Sequence, residues 1–255
     1  MLTDVLKKRL QAGEVLYGPF IDSCSEDLVE IVGLAGFDYA LIDAEHSVCD
    51  PAIGLRLVRA AEARRLPTII RVNNAMPSTI LKMMDFGASG IMAPLIHTAE
   101  AAQSVADSVK YYPKGRRGTA LMRGSDYGFT KIDDYFAKTN AQAFVMCQAE
   151  SVQAIENLEE IVKVPELDAV FIGPYDLSQS MGIPGQVESG PILKIIEKSG
   201  KIIRDAGKTA AILAGNYEKA KLFADWGYNL ITYSTDLDIF GAAVRDIVAN
   251  LKGGK

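Results

Sequence analysis

Short apolar runs alternate with longer segments of helical periodicity along almost the whole chain. Each run is nearly continuous in hydrophobic side chains, which is typical of parallel strands that are covered on both faces. We predict eight strands: Val15 to Ile21, Phe37 to Ile42, Thr68 to Val72, Gly90 to Ala93, Ala143 to Cys147, Ala169 to Ile172, Thr209 to Leu213 and Leu230 to Tyr233.

The segments between the strands carry helix start and stop signals. Asp50 before Pro51 is an N-cap followed by proline at the first helical position, and Gly36 and Gly87 stand where C-terminal glycines belong. We predict helices over Asp27 to Ala35, Pro51 to Arg64, Pro77 to Phe86, Thr98 to Tyr111, Ser151 to Val162, Pro191 to Ala206, Tyr217 to Trp226 and Asp236 to Leu251.

Strict alternation of strands and helices predicts a parallel sheet with right-handed crossovers. Eight units in a chain of 255 residues favour a closed (β/α)8 TIM barrel, and no Gly-x-Gly-x-x-Gly motif of a doubly wound sheet follows any strand. We therefore expect residues 1–255 to form a single domain. The one long irregular stretch, Tyr112 to Thr130, precedes a helical pattern over Lys131 to Thr139.

Composition narrows the possible partners and location. The chain has 27 Lys and Arg against 32 Asp and Glu, spread without a basic face, which argues against nucleic acid. No apolar stretch approaches the roughly 18 to 20 residues of a membrane span, and the N-terminal residues lack the apolar core of a signal peptide. Three cysteines, without metal-binding spacing, indicate neither a disulfide framework nor a zinc site. We expect a cytoplasmic protein.

Two acids follow neighbouring strands, at the end of the barrel where active sites are built. Glu150 and Asp176 each come just after an apolar run, one strand-helix unit apart. Oxygen ligands without Cys or His favour a hard divalent ion such as Mg²⁺ or Mn²⁺. The alternative is that Glu150 caps the helix beginning near Ser151 and that Asp176 caps the following turn.

A second group of polar residues follows the second and third strands. Arg71 ends an apolar strand and needs an anionic partner, either a substrate oxygen or an internal acid such as Asp43 or Glu45. His46 lies beside these acids, which could orient its ring as a base or proton shuttle. No strand ends in lysine, as a Schiff-base aldolase requires, so carbonyl chemistry here would rely on a metal.

One basic loop remains open to interpretation. Pro113 to Thr119 contains Lys114, Arg116 and Arg117. It could close over an anionic substrate, form a solvated turn or contact another subunit.

Several motifs occur together in one order. They are Asp43-Ala44-Glu45-His46, Arg71, Asp85-Phe86-Gly87-Ala88-Ser89-Gly90-Ile91-Met92-Ala93-Pro94, Tyr112-Pro113-Lys114-Gly115-Arg116-Arg117-Gly118, Gln148-Ala149-Glu150 with Ile155-Glu156-Asn157, and Phe171-Ile172-Gly173-Pro174-Tyr175-Asp176-Leu177-Ser178. From about residue 15 to 240 the chain resembles the metal-dependent class II pyruvate aldolases, the 4-hydroxy-2-oxo-acid and 2-dehydro-3-deoxyglucarate aldolase group.

The resemblance implies a role for each matching residue. Glu150 and Asp176 would hold a divalent metal (Mg²⁺, Mn²⁺ or Co²⁺) that chelates pyruvate, and Arg71 would contact the keto or enolate oxygen. His46 with Asp43 would take part in proton transfer. Gln148 would support the site or contact the substrate, and the backbone at Gly173 and Tyr175 would bind the pyruvate carboxylate. Asp85 would lie near subunit contacts, and Glu45 would lie beside the histidine. Tyr175 replaces a residue that is often small in this family.

The reaction implied is reversible cleavage of a 4-hydroxy-2-oxo acid, or a 2-keto-3-deoxy sugar acid, to pyruvate and an aldehyde. Such lyases serve carbohydrate or aromatic compound catabolism, and family members are usually homohexamers with exchanged C-terminal helices, here about 236–251. The alternatives are an oxaloacetate decarboxylase, a lyase acting on a CoA thioester, or a barrel without catalytic activity that serves assembly.

Overall fold

The predicted strands close into one parallel barrel. The computed structural model describes residues 3 to 253, and each strand in it pairs in parallel with the next, β8 returning to β1. The strands are β1 (Leu16–Ile21), β2 (Ala40–Asp43), β3 (Thr68–Arg71), β4 (Gly90–Ala93), β5 (Phe144–Ala149), β6 (Ala169–Ile172), β7 (Thr209–Ala214) and β8 (Leu230–Thr235). The prediction of a (β/α)8 TIM barrel is confirmed.

Helices cover the outside of this barrel and connect its strands. A short 3₁₀ turn, Arg123–Gly128, lies in the long loop that the sequence indicates. The helices are α1 (Thr3–Gln11), α2 (Glu26–Ala35), α3 (Pro51–Ala63), α4 (Pro77–Asp85), α5 (Ala99–Val109), α6 (Ile132–Gln142), α7 (Val152–Glu156), α8 (Leu158–Ile161), α9 (Pro174–Ser180), α10 (Gly190–Asp205), α11 (Tyr217–Asp225) and α12 (Asp236–Leu251).

Two strand predictions differ from the structure in ways that affect the site. β2 begins at Ala40 rather than Phe37, and β5 continues two residues past Cys147 to Ala149. The extension follows from pairing, because Gln148 and Ala149 stand opposite Phe171 and Ile172 of β6. Gln148 is therefore held by the sheet itself rather than by a loop.

The helices near the site also differ from the pattern. The single helix predicted from Ser151 is divided at Asn157 into α7 and α8, and Asn157 donates from its side-chain amide to the His97 carbonyl at 2.8 Å. The sequence did not predict α9, which starts with Pro174 directly after the Gly173 N-cap position. Asp176 therefore lies in the first turn of a short helix.

Hydrophobic side chains form one layer inside the barrel and another between strands and helices. Successive residues of a strand point to opposite faces, so in β5 Phe144 and Met146 join the inner cluster while Val145 and Cys147 join the outer one. The continuous apolar runs of the sequence are explained by this double burial. Within residues 3 to 253, no helix combines the length and the apolar character needed to cross a membrane.

Candidate active site

An arginine and an aspartate form a buried ion pair at the ends of β2 and β3. The strand register places Asp43 opposite Arg71. Arg71 donates from Nε to Asp43 Oδ1 at 2.8 Å and from Nη2 to Oδ2 at 2.6 Å, and its guanidinium lies 4.6 Å from the centre of the Phe20 ring. Burial alone would raise the pKa of Asp43, but the hydrogen bonds and charge of Arg71 outweigh it and lower the pKa.

Glu45 and His46 extend this group toward the rim. Glu45 Oε2 lies 3.3 Å from Arg71 Nε and 3.7 Å from His46 Nε2. Burial raises the pKa of Glu45, and the opposing charge of Arg71 only partly offsets this. The backbone N–H groups of Glu45 and His46 both donate to Asp43 Oδ1, at 2.9 and 3.4 Å. The carboxylate that lies near the His46 ring is that of Glu45, whereas both oxygens of Asp43 accept hydrogen bonds from Arg71.

Glu150 is the most deeply buried acid on the other side of the mouth. Only 3% of it is exposed, its Oε1 accepts from the Leu95 N–H at 2.8 Å, and its Oε2 accepts from the Gln148 amide. Burial, together with the nearby charges of Asp176 and Glu45, raises the pKa of Glu150 to about 8. Ser151, not Glu150, caps the next helix. The acid is therefore not explained as a helix cap.

The end of β6 brings the second acid to Glu150. A side chain at Gly173 would meet Glu150 Oε2 at 2.7 Å and Gln148 Nε2 at 3.0 Å, so only glycine allows this close approach. Asp176 and Tyr175 follow it on α9, both exposed. Asp176 is close enough to Glu150 for its charge to contribute to the raised pKa.

These two acids are the residues best placed to hold a metal. A divalent cation would compensate two carboxylates that form no ion pair with an arginine or lysine among the described residues, although the charge of Arg71 acts on Glu150. Nowhere in residues 3 to 253 do three or more Asp, Glu, His or Cys side chains converge on one metal position. A metal held by Glu150 and Asp176 would therefore keep positions for water and substrate oxygens.

An acid at the end of β1 was not predicted from the sequence as a site residue. Asp22 directly follows Ile21, the last residue of β1. Burial, followed by the charges of Asp43 and Asp236, raises the pKa of Asp22 to about 6. The signal that could have found it is its position, since it is the first polar residue after the apolar run.

The remaining polar candidates have partners other than the residues described above. His97, the other histidine, shares a hydrogen bond of 2.8 Å with the Ser151 hydroxyl, which gives it a structural role. Asp85 accepts from Arg117 Nη2 at 2.6 Å, and the Arg117 side chain is fully buried. Part of the basic loop is thus packed onto α4 rather than free to close over substrate. Asp85, the last residue of α4, is the partner of this loop.

Acids that follow β5 and β6, together with Arg71 at the end of β3 and His46 after β2, are the arrangement of a class II pyruvate aldolase on a TIM barrel. Residues 16–243 match the family model described as HpcH/HpaI aldolase/citrate lyase, and the chain belongs to this family. The resemblance inferred from the motifs is confirmed. Dependence on a divalent metal is typical of the family.

Individual relatives agree with this assignment. The 2-keto-3-deoxy-L-rhamnonate aldolase of Shigella sonnei (strain Ss046) is 34% identical over 257 residues, covering 100% of this chain and 96% of that protein. An HpcH/HpaI aldolase/citrate lyase family protein from Burkholderia cenocepacia J2315 has a solved structure with a TM-score of 0.93 and 30% identity, covering 98% of this chain and 100% of that one. The structure of the citrate synthase SbnG superposes with a TM-score of 0.90 at 26% identity, covering 99% and 98%.

Proposed function

We propose that this protein is a metal-dependent aldolase that reversibly cleaves a 2-keto-3-deoxy sugar acid, a type of 4-hydroxy-2-oxo acid, to pyruvate and an aldehyde. One observation carries the proposal: the uncompensated acids Glu150 and Asp176 share one mouth with the preformed Arg71 and Asp43 pair. The relative from Shigella sonnei carries the name of an enzyme acting on such a sugar acid. A cytoplasmic location fits a substrate of this kind.

Glu150 and Asp176 would hold the divalent metal. The raised pKa of Glu150 supports this role, because a carboxylate whose charge is disfavoured by burial gains most from a nearby cation. Gln148 supports the site by binding Glu150 with its amide, while its own Oε1 is buried without a hydrogen-bond partner among the described residues. When bound, the metal supplies Lewis-acid polarisation of the 2-keto group. We take Mg²⁺, Mn²⁺ and Co²⁺ as the candidates.

Arg71 adds positive charge at the same oxygen. Its Nε and Nη2 are occupied by Asp43, and Nη1 has no hydrogen-bond partner among the described residues. The pair thus orients the guanidinium and leaves one donor nitrogen for the keto oxygen, where negative charge develops as the C3–C4 bond breaks. Because Asp43 already holds the guanidinium in place, Arg71 does not have to move during the reaction.

The proton of the C4 hydroxyl must leave during cleavage. Asp43 is unsuited to receive it, because Arg71 engages both of its oxygens and lowers its pKa. We assign the proton instead to Glu45 and His46, whose side chains lie 3.7 Å apart. Asp43 orients this loop by accepting two of its backbone N–H groups.

The pyruvate carboxylate would lie against the start of α9. Because Gly173 lacks a Cβ, Glu150 and Gln148 can pack closely against this point of the chain. Its own N–H is used by the Ala149 carbonyl at 3.2 Å. The N–H of Tyr175, in the first helical turn, has no partner within the helix and can donate to the carboxylate.

The test is aldol addition by the full chain after chelator treatment. Pyruvate and lactaldehyde are supplied with no metal, Mg²⁺, Mn²⁺ or Co²⁺, and adduct formation and proton exchange at pyruvate C3 are measured. We expect both to require the metal. Full activity after chelation would refute the metal role. Oxaloacetate decarboxylation without adduct formation would instead identify a decarboxylase.

We also infer a homohexamer in which α12 is exchanged between subunits. Asp236 is the only buried residue of α12, whereas Leu237, Phe240 and Ile247 are 51%, 59% and 54% exposed. An apolar helix face of this kind is typical of an interface. Light scattering after size-exclusion chromatography should give six subunits, and Phe240→Lys with Ile247→Lys should reduce that number. An unchanged mass would refute the role of α12.

A further inference from the structure

Asp22 lies beside the ion pair of Arg71 and Asp43 but forms no hydrogen bond with it. In the register of β1 and β2, Phe20 and Ile21 lie opposite Leu41 and Ile42, so Asp22 comes next to Asp43 at the mouth. Arg71 is near enough to influence the charge of Asp22, but the hydrogen bonds of its guanidinium go to Asp43. The catalytic arginine therefore does not satisfy this carboxylate.

The surroundings hold the backbone of Asp22 in place but leave its carboxylate in need of a donor. Asp236 Oδ1 accepts from the Asp22 N–H at 2.9 Å, and the Ser23 hydroxyl also binds Asp236. Oδ1 of Asp22 is buried and has no hydrogen-bond partner among the described residues, while the residue as a whole is half-buried. Such an acceptor, beside the acids Asp43 and Asp236, is costly unless a hydroxyl or amine meets it.

The order of the strands indicates which part of the substrate reaches Asp22. In the proposed function the substrate carboxylate lies at β6, its keto oxygen faces Arg71 on β3, and its C4 hydroxyl faces Glu45 and His46 after β2. The carbon chain thus crosses the mouth toward decreasing strand number. The next strand is β1, so the carbon after C4 arrives at Asp22.

We propose that Asp22 is a specificity residue that accepts a hydrogen bond from the hydroxyl on C5 of the substrate, which is the hydroxyl beside the carbonyl of the aldehyde product. The inference rests on the proposed aldolase function, whose sugar-acid substrates carry this hydroxyl, and it assigns the recognition of the hydroxyl to Asp22. A site built to bind a hydroxyl discriminates against the analogue that lacks it, because the polar group of the site is then left unpaired.

The test uses two acceptors that differ only in this hydroxyl, lactaldehyde and propanal. Each is added to pyruvate with the metal-loaded full chain, and kcat/KM is measured for the wild type, Asp22→Asn and Asp22→Ala. We expect the wild type to prefer lactaldehyde by about 10- to 100-fold, the range of a hydrogen bond to a charged group. Asp22→Ala should abolish the preference by losing activity on lactaldehyde alone, and Asp22→Asn should keep part of it.

Asp27→Asn is the matched control, since Asp27 carries the same charge nearby but lies exposed on the first turn of α2. It should leave the preference unchanged. Unchanged activity of Asp22→Ala on propanal shows that the variant is folded. Equal losses on both aldehydes, or a wild type that does not discriminate, would overturn the role of Asp22 alone. Absence of adduct with either aldehyde would overturn the aldolase function and this inference with it.

Discussion

The two sides of the barrel mouth handle their charges in opposite ways. On the β2 and β3 side, Asp43 is only 1% exposed, yet both of its oxygens are bound by Arg71. On the β5 and β6 side, Glu150 is almost as buried but receives only neutral donors, from Leu95 and Gln148. Accordingly, the pKa of Asp43 is lowered and that of Glu150 is raised to about 8.

The difference separates a preorganised half of the site from a half that depends on a ligand. The Arg71 side is complete within the chain and can position a developing negative charge without further partners. In the proposed function, the Glu150 side would gain its compensating charge from a cation. Each half therefore predicts a different response to substitution and to added metal.

The largest effect is expected on the ligand-dependent side. Glu150→Gln keeps the size of the side chain but removes a negative charge that would hold the metal, so kcat/KM should fall by roughly 10³-fold. Affinity for Mn²⁺, measured by calorimetry, should fall with it. Glu159→Gln, at an exposed position on α8, serves as the control. If the Glu150 variant keeps its affinity for the metal, the β5 and β6 side does not depend on a cation at Glu150.

Breaking the buried ion pair of Arg71 and Asp43 should affect both catalysis and stability. Arg71→Ala removes the charge at the keto oxygen and should lower kcat by about 10²-fold or more. It also leaves Asp43 buried without a partner, which costs roughly 3–5 kcal/mol in the free energy of unfolding. The double variant with Asp43→Ala should regain stability but not activity. As a control, Lys201→Ala breaks an exposed pair with Asp205 and should cost about 1 kcal/mol or less.

A smaller catalytic effect is expected at the rim. His46→Asn and Glu45→Gln should each lower kcat by about 10²-fold and alter its pH profile, because proton transfer at C4 is slowed. His97→Gln loses the Ser151 hydrogen bond and should reduce the melting temperature without altering that profile. If Asp43→Asn alone reproduces the altered pH profile, the proton passes through Asp43 instead.

The smallest effect concerns the pH dependence of stability without metal. The pKa of Glu150 rises from 4.5 to about 8 on folding, so the folded state binds more protons than the unfolded state in this window. The contribution of Glu150 to stability therefore decreases as the pH rises from about 5 to 8. Scanning fluorimetry should show a falling melting temperature, with a smaller fall in Glu150→Gln and with added Mg²⁺. The same slope in both proteins would show that Glu150 is not the titrating group.

Position after a strand was a reliable guide to which residues reach the mouth. Glu150 and Asp176 were predicted to share one mouth because they follow neighbouring strands, and in the structure the charge of Asp176 acts on Glu150. Position could not predict the partners, because these depend on distances across the sheet. His46 thus has Glu45 beside its ring rather than Asp43, and Asp22 was missed although it follows a strand in the same way.

The sequence by itself determined the barrel and the polar side chains at its carboxyl end. Double burial of parallel strands requires continuous apolar runs, and the first polar residue after each run must lie at the mouth. The tertiary structure alone decided how the charges are distributed. The closed register sets Asp43 against Arg71, and the missing Cβ of Gly173 lets β6 approach Glu150 closely. Because electrostatic energies depend on distance and burial, the compensated and uncompensated acids could be distinguished only in the folded chain.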